Sequence, residues 1–241
     1  MFKKYFNNRF FILYVIPLSI GVLTTLSFEP FNFTIINLII FPVFFYLITY
    51  INKKSKVVYR KRPYKKNLFI CGLLFGFGFY LSGIFWITNS LTFDENFKIL
   101  IPFALVLIPL FLSLFMALTI LVIGPLLRFD FPSLIIFSAS LALSDYLRSY
   151  VLSGFPWNLW AYSSVWANEI LQILNIIGLH SYNLLSITLY TLPIIFFFKI
   201  NSIKKFAYLI LIIFFVLTLF VFGSYEINKN KKELSNVSEK I

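Results

Sequence analysis

Charged side chains are scarce in this chain. Asp, Glu, Lys and Arg make up 12% of its 241 residues, whereas a soluble domain of ordinary composition carries about 25%. Apolar residues account for 60% and aromatic residues for 21%, and the mean hydropathy is +0.88. This composition excludes an ordinary soluble domain and indicates an integral membrane protein.

Cysteine and histidine are each present once, as Cys71 and His180. A lone cysteine excludes an internal disulfide framework, and Cys71 lies in an apolar run where a thiol behaves as a small hydrophobe. No second His or Cys stands at ligand spacing from His180, so we expect no metal site and no cofactor. No Ser–His or Cys–His pair and no paired carboxylates are found, so no catalytic residue is predicted.

Acidic residues are the rarer of the two charge types: 9 Asp and Glu stand against 21 Lys and Arg, for a net charge of +12. In a soluble protein this excess would raise nucleic acid as a partner. Here the basic residues lie in short segments between apolar runs. Membrane topology and attraction to anionic lipid explain them better, and we expect no nucleic-acid partner.

Long apolar runs dominate the chain, and each meets the roughly 20 residues needed to cross the hydrocarbon core. Continuous runs exclude the alternating pattern of a transmembrane barrel. We therefore predict an all-α polytopic bundle of seven transmembrane helices over residues 1–225, followed by a polar tail or linker, 226–241. The predicted spans are about 10–28, 31–51, 67–91, 99–127, 131–152, 170–198 and 203–223.

The distribution of lysine and arginine predicts the orientation. If the seven runs alternate, most of these residues fall on the side of the N-terminus, including Lys3, Lys4 and the basic segment 52–67. The positive-inside rule then places the N-terminus in the cytoplasm and the C-terminus in the periplasm.

Three further features of the sequence lead to expectations about packing and position. Gly72 and Gly76 form a G-x-x-x-G pair that favours close helix packing rather than phosphate binding. Trp86 fits an interfacial anchor at the outer end of its helix. Glu29 precedes Pro30, and this proline turns the chain. Glu29 is then either a solvated residue of the turn, or its carboxylate contacts a molecule that binds on the outer side.

The segment 145–163, DYLRSYVLSGFPWNLWAYS, is the most polar interruption between two runs. Asp145 and Arg148 stand at i and i+3 on one helix face and can pair. Arg148 falls in the last turn of its predicted helix, where a cation complements the helix dipole. Gly154 can adopt the left-handed conformation that ends a helix.

Aromatic residues follow that helix end. Pro156 holds Phe155 extended, which predicts that Trp157 and Trp160 lie at the level of the lipid headgroups. An arginine fork beside aromatic rings suits a phosphate group with acyl chains below it. The alternative is an aromatic belt with one positive residue that anchors the helix end.

This segment resembles the Leu-Arg and Gly-Phe-Pro-Trp region of bacterial apolipoprotein N-acyltransferases. The blocks LSFEPFNF, GLLFGFGFYLSGIFWITNSL and LQILNIIGLHSYNLLSI resemble other membrane segments of that family, in the same order. The resemblance implies a multi-pass protein of the bacterial inner membrane with a periplasmic functional face. It also implies a reaction that moves an acyl chain from a phospholipid to an enzyme cysteine and then to the N-terminal diacylglyceryl-cysteine of a lipoprotein.

The chain departs from the family in three places. Asp145 stands where the family usually has Glu, and His180 and Ser181 stand where it has Tyr-Gly. The family's periplasmic nitrilase-like domain, with its Glu-Lys-Cys triad, has no counterpart here, and Cys71 lies in a membrane helix. We therefore expect a fragment or a truncated or split gene product that is inactive by itself.

The resemblance assigns lipid and substrate access, not bond chemistry, to eight residues: Asp145, Arg148, Gly154, Phe155, Pro156, Trp157, Glu29 and Trp86. The implied partners are a phospholipid acyl donor, a diacylglyceryl lipoprotein, and a catalytic domain in cis or in trans. A non-catalytic membrane scaffold for a partner enzyme is the alternative. A transporter is disfavoured, because acidic residues stand at the ends of the runs rather than at mid-membrane.

Overall fold

The computed structural model describes residues 9–58, 63–151 and 154–238. Within these ranges all regular secondary structure is helical, which confirms the predicted all-α class. The longer helices are α1 (Ile16–Thr24), α2 (Asn37–Val58), α3 (Pro63–Ile84), α4 (Ile101–Ile123), α5 (Phe131–Arg148), α6 (Leu174–Thr191) and α7 (Ser202–Ser238).

Short π, α and 3₁₀ helical elements extend or join these helices. A π-helical turn precedes α1, and a short α-helix stands before α6. The remaining turns are 3₁₀. The joining elements are Phe11–Val15 (π), Asn168–Leu171 (α), and Thr25–Ser27, Thr34–Ile36, Phe85–Thr92, Glu95–Leu100, Trp160–Ser164 and Leu192–Phe197 (3₁₀).

Four helical segments in the described part of the chain are long and apolar enough to cross a membrane. They are Thr34–Lys53, Tyr64–Thr92, Glu95–Ile123 and Ser202–Lys231, and the helix Phe11–Ser27 is apolar but shorter. They support a membrane protein, while seven spans and the orientation stay predictions. Lys3, Lys4 and part of the basic 52–67 segment, on which the orientation depends, lie outside the described residues.

The run 170–198 was predicted as one span, but the structure interrupts it. Gly178 has φ 73° and ψ 169°, which breaks the helical geometry inside α6. The run also ends as the 3₁₀ turn Leu192–Phe197. The helix is therefore kinked at Gly178.

Small residues let α3 and α4 approach each other closely. A Cβ on Gly72 would lie 2.9 Å from the Cα of Ala117, and one on Gly76 would lie 3.0 Å from the Cα of Ser113. The backbones of α3 and α4 therefore touch, which confirms the predicted role of the G-x-x-x-G pair. Cys71, next to this contact, is buried in the apolar core.

The loops gather at two ends of the bundle. At one end, which we call the upper end, Thr34 Oγ1 donates to the carbonyl oxygen of Ser163. This hydrogen bond joins the loop before α2 to the segment after Gly154. At the lower end, Asn52 Nδ2 donates to Pro125 O at 3.2 Å, and Lys205 Nζ donates to Phe196 O at 2.7 Å. Loops that the predicted alternation assigns to one side of the membrane thus share an end.

Candidate functional site

The helix α5 delivers the predicted ion pair to the upper end. It begins where the Asp130 carboxylate accepts a hydrogen bond from the backbone N–H of Ser133 at 3.0 Å, an N-cap arrangement. It ends at Arg148, whose Nη2 lies 3.1 Å from Asp145 Oδ1. Both side chains are buried, with Arg148 only 1% exposed. The pairing predicted from the i, i+3 spacing is confirmed.

Arg148 also holds the Gly-Phe-Pro-Trp turn from inside. Its Nη1 donates to the carbonyl oxygens of Phe155 at 2.6 Å and Trp157 at 2.8 Å, and the backbone N–H of Phe155 donates back to Arg148 O at 3.1 Å. The guanidinium lies over the Tyr80 ring, 5.3 Å from its centroid. We call this set of contacts the Arg148 clamp. A planar guanidinium with several N–H donors suits these contacts, because one group must donate to a carboxylate and to two carbonyl oxygens at the same time.

The carboxylate of Asp145 continues the network into α6. Its Oδ2 accepts a hydrogen bond from Asn183 Nδ2 at 2.9 Å, and Asn183 Oδ1 accepts one from the backbone N–H of Ala161 at 3.1 Å. Asn183 is fully buried. Hydrogen bonds to the remaining atoms make a buried ion pair easier to tolerate, and Asn183 supplies one to the second carboxylate oxygen while tying α5 to the segment after the turn.

Gly154 adopts the left-handed conformation expected of it, with φ 76°. A Cβ at this position would lie 2.4 Å from the carbonyl oxygen of Ser149. Its N–H donates to Val151 O at 3.0 Å. The chain therefore reverses tightly after α5, and this reversal brings the carbonyls of the turn back to Arg148.

The exposed face of the turn carries indole rings. Trp157 is 54% exposed and meets the 42% exposed Trp86 edge to face, with centroids 5.7 Å apart. The Trp86 Nε1–H donates to Gly83 O at 3.1 Å. Pro156 is exposed beside Trp157, whereas Phe155 packs partly on the core. The structure thus brings two predicted site residues, Trp86 and Trp157, into one exposed aromatic pair.

Trp160 does not lie at the headgroup level, and that expectation was wrong. Its side chain is 1% exposed. It stacks on Phe79 at 4.5 Å with an interplanar angle of 16°, and it meets Phe41 edge to face at 4.8 Å. The packing of these three rings against one another buries a large apolar area in the core.

Glu29 lies apart from the clamp. Its side chain is exposed in the loop between α1 and α2. In the part of the chain that the structure describes, no hydrogen bond or ion pair reaches its carboxylate. The predicted turn is present and contains Glu29 and Pro30, since the backbone N–H of Phe31 donates to Phe28 O at 3.0 Å.

Several polar contributors were not predicted from the sequence. Asn183 lies 38 positions from Asp145, and nothing in its local pattern indicated the contact. Tyr182 and Tyr190 pair their hydroxyls with Ser164 at 2.6 Å and Ser163 at 2.7 Å. Polar residues inside an otherwise apolar run were the available signal, because lipid makes an unpaired polar group costly.

Tyr162 and His180 complete the titratable groups near the turn. Burial raises the pKa of the Tyr162 phenol above its ordinary value, and the Arg148 guanidinium opposes this rise. His180 packs edge to face against Tyr146, with centroids 5.0 Å apart. Over the described ranges, no group of three or more His, Cys, Asp or Glu side chains is placed to hold a metal ion.

Fold and site together define a helical membrane protein whose upper end is organised by a buried ion pair and an aromatic turn. Residues 20–192 match the apolipoprotein N-acyltransferase N-terminal domain family. Since this match covers more than half of the chain, the protein belongs to that family.

Its relatives carry the name apolipoprotein N-acyltransferase. The chain is 32% identical over 180 residues to the apolipoprotein N-acyltransferase of Rhodopseudomonas palustris, which covers 74% of this chain and 32% of that protein. It is 29% identical over 176 residues to those of Brucella melitensis and Brucella suis, which covers 72% of this chain and 32% of each. The chain thus spans about a third of the length of these curated relatives.

Proposed function

We propose that this chain is the membrane domain of an apolipoprotein N-acyltransferase and that it transfers no acyl group by itself. The observation that carries the proposal is the family match over residues 20–192, which contains the whole Arg148 clamp. In the proposed reaction, a cysteine thiolate of a periplasmic domain attacks an acyl ester of a phospholipid, which forms a thioester and releases a lysophospholipid. The α-amine of a lipoprotein's diacylglyceryl-cysteine then attacks the thioester, which forms an amide and returns the thiol. The single cysteine of this chain is buried and is not that nucleophile.

The proposed topology has seven spans in the bacterial inner membrane, with the N-terminus in the cytoplasm. The upper end of the bundle then faces the periplasm, together with the polar end of α7, beyond residue 225. A catalytic domain that follows this helix would stand over the upper end. The alternation of loops between two ends supports this arrangement.

Within this proposal, Arg148 acts by positioning. A direct contact with a lipid phosphate would require an exposed guanidinium, yet Arg148 is 1% exposed and its two terminal nitrogens are engaged by Asp145, Phe155 and Trp157. The clamp fixes the backbone that carries Trp157 and so keeps this indole against Trp86. Indole rings favour the interface between headgroups and hydrocarbon, which makes this pair the proposed doorway for lipid, with Glu29 exposed at the same end.

The doorway is tested by kinetics in an active fusion of this chain with a catalytic segment. Trp86→Ala and Trp157→Ala should raise the KM for phospholipid by about tenfold, as expected when uniform binding is lost, with kcat little changed. Phe93→Ala is the control, because Phe93 is 92% exposed and outside the aromatic pair. A fall in kcat at unchanged KM would argue against a role in lipid access.

The alternative is a non-catalytic scaffold for an enzyme that acts in trans, and it needs the same helices. The coding sequence downstream of Ile241 separates the two. A nitrilase-like reading frame with Glu, Lys and Cys supports the membrane domain of one enzyme. An unrelated sequence there, together with co-purification of an intact acyltransferase, supports the scaffold.

A further inference from the structure

A large apolar groove lies between α7 and the rest of the bundle. Its volume is about 1120 Å³, slightly above the roughly 300–1,000 Å³ of ordinary ligand sites. One wall is α7, and the other is formed by α6, the turn Leu192–Phe197, the first turn of α2 and, at the upper end, residues of the segments 32–36 and 164–170. The lining is almost entirely aliphatic and aromatic, so the groove suits a hydrocarbon ligand.

The groove exists because α7 stands off from the bundle. Only 11% of the apolar stretch of α7 is buried, whereas 39–56% of the apolar stretch is buried in each of the other three long spans. Near its upper part α7 touches the chain tightly, since a Cβ on Gly223 would lie 1.7 Å from the carbonyl oxygen of Glu169. Below this contact the groove separates α7 from α6 and the turn Leu192–Phe197, and α7 meets that turn again where Lys205 Nζ donates to Phe196 O at 2.7 Å.

The dimensions fit one acyl chain. The residues of α7 that line the groove run from Lys205 to Leu219 along one helix face, a length of about 21 Å at 1.5 Å per residue. Half of the hydrocarbon core is about 15 Å thick. A chain that enters at one leaflet can therefore lie in the groove over its full depth.

The lower mouth is positively charged. Lys205 lines it and gives one hydrogen bond, to the Phe196 carbonyl oxygen, which leaves two N–H donors of its ammonium. Lys199 and Lys204 are exposed close by in the sequence. No carboxylate pairs with these three lysines in the ranges that the structure describes. Basic pockets between membrane helices are the usual sites for anionic lipid headgroups.

We propose that this groove binds an anionic glycerophospholipid, with an acyl chain between α6 and α7 and its phosphate on Lys205, Lys204 and Lys199. The lipid fills the gap between the two helices and fixes the angle of α7. Its headgroup sits at the lower end, whereas the aromatic pair Trp86 and Trp157 lies at the upper end. The site is thus separate from the proposed doorway and does not depend on the proposed acyl transfer.

The experiment uses the full chain in phosphatidylcholine nanodiscs that contain a small fraction of phosphatidylglycerol with a diazirine at the end of one acyl chain. Phosphatidylcholine with the same diazirine is the comparison. After illumination, mass spectrometry locates the labelled peptides. The expected label lies in the part of the groove away from the lysines, on Ile212–Leu219 and Tyr182–Leu189, and phosphatidylglycerol labels these peptides about fivefold more than phosphatidylcholine.

Matched variants separate the two parts of the site. Ile212 lines the groove, whereas Ile210 is 66% exposed and does not. Ile212→Trp should reduce the label severalfold, and Ile210→Trp should leave it unchanged. The pair Lys204→Gln and Lys205→Gln should abolish the preference for phosphatidylglycerol. The same exchange at the exposed Lys229 and Lys231, at the other end of α7, should preserve it.

Three results would overturn the proposal. Equal labelling by both lipids that Ile212→Trp does not change would mean boundary lipid only. A persistent preference for phosphatidylglycerol after the two lysine exchanges would remove the headgroup site. An unlabelled groove together with a co-purifying polypeptide would assign the groove to a partner helix. An unchanged midpoint of thermal unfolding checks that each variant is folded.

Discussion

Arg148 and Trp157 are nine residues apart, and Nη1 of the arginine donates to the carbonyl oxygen of the tryptophan at 2.8 Å. The charged group is buried while the indole that it positions is 54% exposed. The charged side chains of Asp145 and Arg148 therefore lie inside the bundle, whereas the Trp157 ring lies at its surface. A buried clamp of this kind stabilises one turn geometry, and the predictions below follow from it.

Two substitutions of Arg148 test separately the contribution of its charge and that of its planar guanidinium group. Arg148→Met leaves the Asp145 carboxylate buried without its cation and should lower the free energy of unfolding by about 3–5 kcal/mol. Arg148→Lys keeps the charge but cannot serve the carboxylate and both carbonyls, so we expect a loss of about 1–3 kcal/mol. Denaturant unfolding in detergent measures both. Arg128→Met, at an exposed loop position, is the control, and a wild-type value for Arg148→Lys would contradict the clamp.

Asn183→Ala removes a link between α5 and α6. It unpairs one oxygen of Asp145 and the backbone N–H of Ala161, and the expected cost is about 1–3 kcal/mol. Hydrogen exchange at Ala161 should accelerate in the variant. Asn175→Ala, at an exposed position of the same helix, should change stability by no more than about 0.5 kcal/mol. Equal effects of the two substitutions would show that the buried network adds nothing.

Gly154→Ala tests the reversal after α5. The new Cβ would meet the Ser149 carbonyl oxygen at 2.4 Å, in addition to the strain of φ 76°. Gly178→Ala has nearly the same φ but no heavy atom within 4 Å of its Cβ. We expect about 1–2 kcal/mol for Gly178→Ala from backbone strain alone and a clearly larger loss for Gly154→Ala. Thermal unfolding of both variants compares them, and equal losses would mean that the Ser149 contact relaxes freely.

Trp160→Ala and Trp157→Ala distinguish the core indole from the surface indole. Trp160 is 1% exposed between Phe79 and Phe41, so its truncation should cost about 3–5 kcal/mol. Trp157→Ala should cost much less, because half of that ring is already exposed. The two unfolding curves measure the difference. The reverse order would mean that the aromatic core is placed differently.

Local chemistry made part of this structure predictable. The apolar runs predicted helices because lipid leaves no other partner for the backbone, and the Asp145–Arg148 pair followed from spacing within one helix. The left-handed Gly154 followed from its place between a helix end and Pro156. In each case the cause lies within a few residues of its effect.

Long-range packing hid the rest. Asn183 reaches Asp145 only because α5 and α6 lie side by side, and Trp160 is buried only because Phe79 and Phe41 arrive from α3 and α2. The break at Gly178 is not visible in an apolar run, since composition alone does not fix a φ angle. The groove depends on the angle of α7, which no local pattern encodes.

Acyl transfer by a fusion protein tests the proposed membrane domain most directly. This chain is joined after Ile241 to the part of the Rhodopseudomonas palustris relative that follows its matching region, and N-acylation of a diacylglyceryl lipoprotein is measured in proteoliposomes. The relative's own membrane region in the same fusion is the positive control, and the attached part alone is the negative control. We expect the fusion to be active, this chain alone to be inactive, and Arg148→Met to lower kcat/KM by about tenfold, or about 1.4 kcal/mol. A fusion no more active than the attached part alone, beside an active positive control, would contradict the proposal.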